Sequence, residues 1–195
     1  MRNVVVNEWM TLDGVVQAPM LTDEDRDGGF DNGGWQTGYF DDMADDWVMD
    51  YLEGAGGFLL GRRTYEIMSG YWQTAPDEQQ EVAQHLNTLP KYVASTTLSE
   101  PLEWKNSTVL QGDIPVSVGA LKQQAGADLH VIGSAKLVQT LIEHNLVDVF
   151  RLMIDPVLVG GGKRPFVDDG VLRTLRLVDH QVTTKGAILA TYATT

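Results

Sequence analysis

Two stretches of this chain place anion-binding groups where a buried strand meets a helix. In the first, the apolar run Leu129–Ile132 ends at Gly133, and the apolar residues that follow recur at helical spacing. A glycine lets a ligand approach the backbone closely, and a helix N-terminus presents free N–H groups and a positive dipole end. The stretch, which continues with Ser134, Ala135, Lys136 and Leu137, therefore favours a phosphate or pyrophosphate site at the junction.

The second stretch, Gly61–Glu66, has the same strand–glycine–helix order and adds two guanidinium groups and a hydroxyl. Arg62 and Arg63 suit bidentate contact with a phosphate, and their charges are unfavourable at a positive helix end unless an anion is bound. The hydroxyl belongs to Thr64. Two simpler alternatives stay open, since the arginines can pair with acidic surface residues and Ser134 can be an ordinary N-cap.

Hydroxyl and carboxylate side chains supply further candidates. Ser95 and Thr96 lie at the end of the predicted strand Lys91–Thr97, where they can contact a ribose or a phosphate, or form a turn. The predicted helix Asp41–Glu53 is rich in aspartate. Acidic residues stabilise the first turn of a helix through its dipole, but Asp45 can instead face a pocket.

One acidic run, Asp23–Gly28, matches the first half of a calcium-binding loop. The twelfth position of that loop requires a bidentate glutamate, and here it is Gly34. We therefore expect no metal site in this segment and none elsewhere.

The composition excludes several kinds of site and partner. The 195 residues fit one domain, and the absence of cysteine excludes disulfides and thiolate metal sites. The formal charge of −13 argues against binding to a nucleic-acid backbone. No apolar run approaches the roughly 20 residues of a membrane span, and no signal-peptide pattern is present, so we expect a cytoplasmic protein without a membrane partner.

Strands alternate with helices along most of the chain, and the last two strands, Leu175–Val182 and Ala187–Tyr192, are typical of a hairpin. This order predicts an α/β fold with a mostly parallel sheet and an antiparallel C-terminal edge, in which residues 1–195 form a single domain. The stretch from Gln17 to about residue 38 has no regular element, and a loop of that length is typical of a flap or a functional segment.

Four motifs, taken together in their order and spacing, resemble the dihydrofolate reductase superfamily. They are Thr11–Gly14, Gly61–Glu66, Val131–Ser134 and Pro156–Gly162. The closer resemblance is to the branch that contains the reductase domain of bifunctional riboflavin-biosynthesis enzymes, and it covers nearly the whole chain. It implies a three-layer, dihydrofolate-reductase-like fold and a homodimer, which is common in that branch.

The resemblance also implies NADPH as the cofactor. Arg62 and Thr64 match the family positions that hold the adenosine 2′-phosphate and the pyrophosphate region, and Ser95 and Thr96 match the adenosine-side strand end. Gly133–Lys136 matches the pyrophosphate turn beside the nicotinamide. The remaining members of the expected cofactor site are Gly61, Arg63 and Leu137.

Asp13 and Asp45 are the candidate catalytic carboxylates. The resemblance places Asp13 near the nicotinamide and the substrate. Asp45 lies sixteen positions before Gly61, on the helix from which dihydrofolate reductases supply the acid that binds the pterin ring and assists its protonation. Either carboxyl group would orient the substrate and favour protonation at nitrogen.

These features predict an NADPH-dependent reductase that transfers a hydride to a small, planar nitrogen heterocycle, either pterin-like or ribosylaminopyrimidine-like. One alternative is a non-catalytic module that binds NADP(H) or another nucleotide, and it predicts binding without hydride transfer. A second alternative is a redox-inert oligomeric protein, which predicts no affinity for dinucleotides.

Overall fold

A computed structural model describes residues 1–166 and 168–195. The strands are β1 (Val4–Thr11), β2 (Ala55–Gly61), β3 (Lys91–Ala94), β4 (Ser107–Val109), β5 (Asp128–Ile132), β6 (Val149–Asp155), β7 (Leu175–Val182) and β8 (Ile188–Thr194). The helices are α1 (Asp42–Gly54), α2 (Arg62–Trp72), α3 (Gln80–Thr88), α4 (Ile114–Gln123) and α5 (Ala135–Glu143). In these two ranges no helix is both long and apolar enough to cross a bilayer.

All eight strands form one sheet, in the order β4-β3-β2-β5-β1-β6-β8-β7. In this spatial order, all neighbouring strands from β4 through β1 to β6 are parallel, whereas β8 pairs antiparallel with both β6 and β7. The C-terminal hairpin therefore closes one edge of an otherwise parallel sheet. This arrangement confirms the predicted α/β fold and its antiparallel C-terminal edge.

Alternating side chains of the sheet build two apolar layers. Val4 and Val6 of β1 belong to a cluster with residues of α4 and α5, while Phe58 and Leu60 of β2 belong to a cluster with residues of α1, α2 and α3. Successive residues of a strand point to opposite faces, so the sheet is covered on both sides. The result is the three-layer architecture that the resemblance implies.

The helix that carries Asp45 has a well-defined start. The side chain of Asp41 accepts a hydrogen bond from the backbone N–H of Ala44 at 3.1 Å, so it is the N-cap of α1. Asp41 also accepts hydrogen bonds from the backbone and hydroxyl of Thr184, in the turn between β7 and β8. The first turn of α1 is therefore fixed to the C-terminal hairpin.

A cleft opens in the sheet because β5 ends early. The β1–β5 register stops at Asn7 opposite Ile132, but the β1–β6 register continues to Thr11 opposite Asp155. Since β5 lies between β2 and β1, its departure into α5 leaves a gap between those two strands at their carboxyl ends. Ligands of open α/β sheets bind in such crevices.

Candidate functional site

The cleft holds a cavity of about 990 Å³, at the upper end of the usual size range of ligand sites. Its wall contains every residue of the expected cofactor site, although these residues come from three separate parts of the chain. They are Gly61, Arg62, Arg63, Thr64, Ser95, Thr96, Gly133, Ser134, Ala135, Lys136 and Leu137. The structure therefore brings the two glycine junctions together on one cavity.

The two junctions are hydrogen-bonded to each other. The N–H of Gly61 donates to Ser134 Oγ at 2.9 Å, and the N–H of Ser134 donates to Thr64 Oγ1 at 3.1 Å. Ser134 Oγ in turn donates to the carbonyl oxygen of Ile132 at 2.9 Å. Ser134 is the N-cap residue of α5, as the simpler alternative predicted, but its side chain makes no capping hydrogen bond and its backbone is left-handed (φ 63°), so it is not an ordinary N-cap.

Both arginines of the α2 N-terminus form ion pairs. Arg62 donates two hydrogen bonds to Glu66, one turn further along α2, at 2.9 and 3.1 Å. Arg63 donates to Asp25 Oδ1 at 3.3 Å. In the ligand-free protein both arginines therefore pair with carboxylates, as the simpler alternative predicted. Arg62 nevertheless remains about half exposed at the cavity wall.

Residues 17–38, which we call the flap, cover part of the cavity. Asp25, a residue of the flap itself, is buried and also accepts a hydrogen bond from Lys163 Nζ at 2.7 Å. Burial acts to raise the pKa of Asp25, but the hydrogen bonds from Lys163 and Arg63 lower it on balance. The loop after β6 supports the flap from below, because Gly162 packs so closely on Val15 and Phe30 that a Cβ there would lie under 3 Å from both side chains.

Asp13 lies away from the cavity and serves another purpose. Its carboxylate accepts hydrogen bonds from Thr11 Oγ1 at 2.6 Å and from the N–H groups of Val159 and Gly160 at 3.2 and 2.9 Å. Arg164 is 3.3 Å away. The hydrogen bond from Thr11 leads the interactions that lower the pKa of Asp13 to about 2. A carboxyl group with a pKa of about 2 is already ionised at neutral pH and has no proton to give, so the structure favours Asp13 as an anchor of the loop after β6 over Asp13 as a catalytic acid.

Asp45 does line the cavity, at its α1 side. Its side chain is exposed, yet partial desolvation, followed by repulsion from Asp42, Asp46 and Asp41, raises its pKa. Neighbouring carboxylates disfavour the ionisation of one another, so Asp45 holds a proton more readily than an isolated aspartate does. Asp45, which was selected because it lies sixteen positions before Gly61, therefore does lie on the cavity wall.

The hydroxyl residues after β3 belong to a turn. Lys91–Thr97 was expected to be one strand, but β3 ends at Ala94. Ser95 Oγ accepts hydrogen bonds from the N–H groups of Thr97 and Leu98 at 3.1 and 2.9 Å, as in a serine turn. Ser95 and Thr96 still line the cavity, so turn chemistry and ligand contact do not exclude each other.

Sequence reasoning missed Glu8, a buried acid in β1 that also lines the cavity. Burial raises the pKa of this carboxyl group well above its usual value. A signal was available, because β1 alternates Val4, Val6, Glu8 and Met10, and an ionisable side chain at an inward position of a strand is unusual.

Comparison with solved structures shows the fold. A protein of Shewanella sp. PV-4 that is provisionally assigned to riboflavin biosynthesis superimposes with a TM-score of 0.76 at 17% identity, over 99% of both chains. A pyrimidine reductase-like protein of Corynebacterium diphtheriae superimposes with a TM-score of 0.68 at 12% identity, over 100% of this chain and 92% of its own.

Sequence comparison shows the family. The uncharacterized protein YyaP of Bacillus subtilis (strain 168) is 32% identical over 146 residues, which cover 73% of this chain and 76% of YyaP. The family model of the RibD C-terminal domain matches residues 2–189. The chain therefore belongs to the RibD C-terminal domain family, the reductase family that its four motifs resemble.

Proposed function

We propose that this protein is an NADPH-dependent reductase that transfers a hydride to a small nitrogen heterocycle. The observation that carries the proposal is the hydrogen-bonded pair of glycine junctions, which places two helix N-termini and Arg62 on the wall of one large cavity. The pyrimidine reductase-like neighbour and the riboflavin-biosynthesis neighbour support the same class of substrate.

The residues present fit a dinucleotide phosphate. The first backbone hydrogen bond of α5 runs from Leu137 N–H to the carbonyl oxygen of Ser134 at 2.7 Å, so the N–H groups of Ala135 and Lys136 precede the helical ladder and have no intrahelical acceptor. These groups suit a pyrophosphate. Arg62 suits the adenosine 2′-phosphate, because its guanidinium can leave Glu66 for a stronger anion.

Aromatic residues of the cavity wall suit a planar heterocycle. Trp9 and Phe40 pack edge to face with ring centroids 5.7 Å apart, and Trp72 lines the same cavity. Aromatic side chains give a flat ligand apolar contact, while Asp45 can accept a hydrogen bond from a ring N–H and orient the ring. When bound, NADPH supplies the hydride, and the protein supplies position, charge and protons.

Tryptophan fluorescence quenching by NADPH and by NADH tests the cofactor assignment, since Trp9 and Trp72 line the cavity. We expect NADPH to bind at least tenfold more tightly than NADH. Arg62→Ala should weaken NADPH binding about 10- to 100-fold, the usual effect of losing a charge-assisted hydrogen bond, and should leave NADH binding nearly unchanged. Lys105→Ala is the matched control, because it removes one positive charge at an exposed site outside the cavity. Equal binding of both dinucleotides, or binding of neither, would contradict the assignment.

Turnover separates the reductase from the non-catalytic module. The loss of NADPH absorbance is followed with 7,8-dihydropterin and with 5-amino-6-(5-phosphoribosylamino)uracil, which represent the two heterocycle classes. Oxidation of NADPH that depends on either compound supports the reductase. Tight NADPH binding without oxidation by either compound favours the non-catalytic module instead.

A further inference from the structure

Glu8 occupies the point at which the sheet opens. Asn7 is the last residue of β1 that pairs with β5, whereas pairing with β6 continues for four more residues to Thr11. Glu8 is therefore the first residue of β1 with the cleft on one side in place of a neighbouring strand, and its side chain lines the cavity.

The carboxyl group of Glu8 is enclosed and lacks a partner. The residue is 1% exposed, and among the described residues no group hydrogen-bonds to Oε1. The buried residues Val16 and Leu137 line the same cavity and are apolar. An ionised carboxylate with an unsatisfied oxygen in such surroundings is costly, and burial accordingly raises the pKa of Glu8. Burial without a hydrogen-bond partner for Oε1 thus favours the protonated form of Glu8, inside the site.

Resting on the proposed reductase function, we infer that Glu8 is the catalytic acid that protonates the substrate nitrogen. In the reduction of a C=N bond, NADPH held at the two glycine junctions would supply the hydride to the carbon and would itself be oxidised to NADP⁺. The nitrogen receives the proton of the Glu8 carboxyl group, so one C–H and one N–H bond form as the C=N π bond breaks. The Glu8 carboxylate then regains a proton from water that enters the open cavity.

Asp45 has a different place and therefore a different task. It is exposed on α1, which packs on the opposite face of the sheet from the α5 side that Glu8 shares with Val4 and Val6. A solvent-exposed carboxyl group exchanges its proton with water freely, so Asp45 is suited to orienting the ring. Asn7 Oδ1, also buried and without a partner among the described residues, lines the cavity from the opposite face of β1 to Glu8 and can accept a hydrogen bond from a ring N–H there.

Infrared difference spectroscopy of the ligand-free protein tests the protonation of Glu8 without any turnover. The spectrum of wild type minus Glu8→Gln at pH 7 should contain the C=O band of a protonated carboxyl group. The matched control is Glu53→Gln, at an exposed position of α1, whose difference spectrum should contain carboxylate bands. Carboxylate bands in the Glu8 difference spectrum would overturn the inference.

Kinetics test the role of the proton. Glu8→Gln keeps the shape of the side chain but cannot release a proton, so kcat with the reducible heterocycle should fall about 10²- to 10⁴-fold while NADPH affinity stays within twofold. Asp45→Asn should mainly raise KM. Glu8→Asp, which retains the acid one methylene shorter, should recover part of kcat, and circular dichroism checks that each variant folds.

The outcomes distinguish the two proposals. If the wild type binds no NADPH, the proposed function fails and the role of Glu8 fails with it. If the wild type reduces a heterocycle and Glu8→Gln does so at the same kcat, the proposed function stands and only the role of Glu8 is overturned.

Discussion

Lys163 Nζ lies 2.7 Å from Asp25 Oδ2, and this ion pair joins two loops that are 138 positions apart in the chain. Asp25 also binds Arg63, at the N-terminus of α2. The buried carboxylate of Asp25 therefore forms ion pairs with Arg63 and Lys163, on the cavity wall where we expect an anionic ligand. The flap and the ligand compete for the same charges.

Asp25→Asn should consequently tighten NADPH binding. The amide removes one negative charge from the cavity wall and takes one ion-pair partner from both Arg63 and Lys163, although Lys163 keeps Asp27 at 2.9 Å. We expect the dissociation constant to fall about 3- to 10-fold, equivalent to about 1 kcal/mol. The measurement is fluorescence quenching at low and moderate salt, and the gain should shrink as salt screens the charges.

Asp23→Asn is the control for this prediction. It removes the same charge from an exposed position two residues earlier in the flap, and the NADPH affinity should change by less than twofold. Weaker NADPH binding by Asp25→Asn would show that the ion pairs hold the flap in a ligand-competent position. That result would contradict a competition between the flap and the ligand for Arg63 and Lys163.

Ser134 is predicted to be critical for both glycine junctions. Ser134→Ala removes the acceptor for the Gly61 N–H and keeps the left-handed backbone strain that serine already has, so the lost hydrogen bond should lower the free energy of unfolding by about 1–2 kcal/mol and weaken NADPH binding. Ser134→Gly relieves the backbone but lacks the hydroxyl. Urea unfolding and NADPH titration of both variants separate the two effects, and wild-type NADPH affinity in Ser134→Gly would contradict a role for the hydroxyl.

The sequence was informative wherever local pattern decides structure. Gly61 at the end of β2 and Gly133 directly after β5 mark real strand–helix junctions, because an apolar run, a glycine and a change of period occur together there. Parallel order and the C-terminal hairpin followed from the alternation of elements. Asp45 was located by its spacing from Gly61, and it does line the cavity.

What the sequence did not reveal depends on contacts between distant residues. The partner of Arg63 is Asp25, 38 positions earlier, and the hydroxyl of Ser134 meets an N–H 73 positions earlier. Asp13 was expected at the substrate, whereas its carboxylate binds the loop after β6. No local periodicity encodes such pairings, which arise only when the strands assemble in their sheet order.

We propose that β7 forms the interface of a homodimer. This edge strand is exposed along all eight residues and carries the apolar side chains Leu175, Leu177, Val178 and Val182. Exposed apolar edge strands pair with other chains unless they are protected. Sedimentation equilibrium should give a dimer for the wild type and a monomer for Leu177→Arg. Val116→Arg, at an exposed apolar position on α4, should remain dimeric, and a monomeric wild type at micromolar concentration would contradict the proposal.

Asp155 at the end of β6 should make the fold less stable as pH rises. The residue is fully buried, neither carboxyl oxygen has a partner among the described residues, and burial raises its pKa to about 7. Between pH 4 and 7 the folded chain keeps this proton, whereas the unfolded chain, with the ordinary pKa of 3.8, releases it. The contribution of Asp155 to the free energy of unfolding is therefore greatest below pH 4. It decreases as the pH rises, until Asp155 also ionises in the folded chain near pH 7. The full difference is about 4 kcal/mol.

Asp155→Asn removes this dependence, because an amide does not titrate in this range. The free energy of unfolding of the variant relative to wild type should increase between pH 4 and 7 and then level off, as measured by urea unfolding at a series of pH values. Taking the difference cancels the titration of other groups. Asp179→Asn, on the exposed β7 strand, should give a flat difference. A flat difference for Asp155→Asn as well would mean that the carboxyl group ionises in the folded chain with a nearby cation or water to stabilise it.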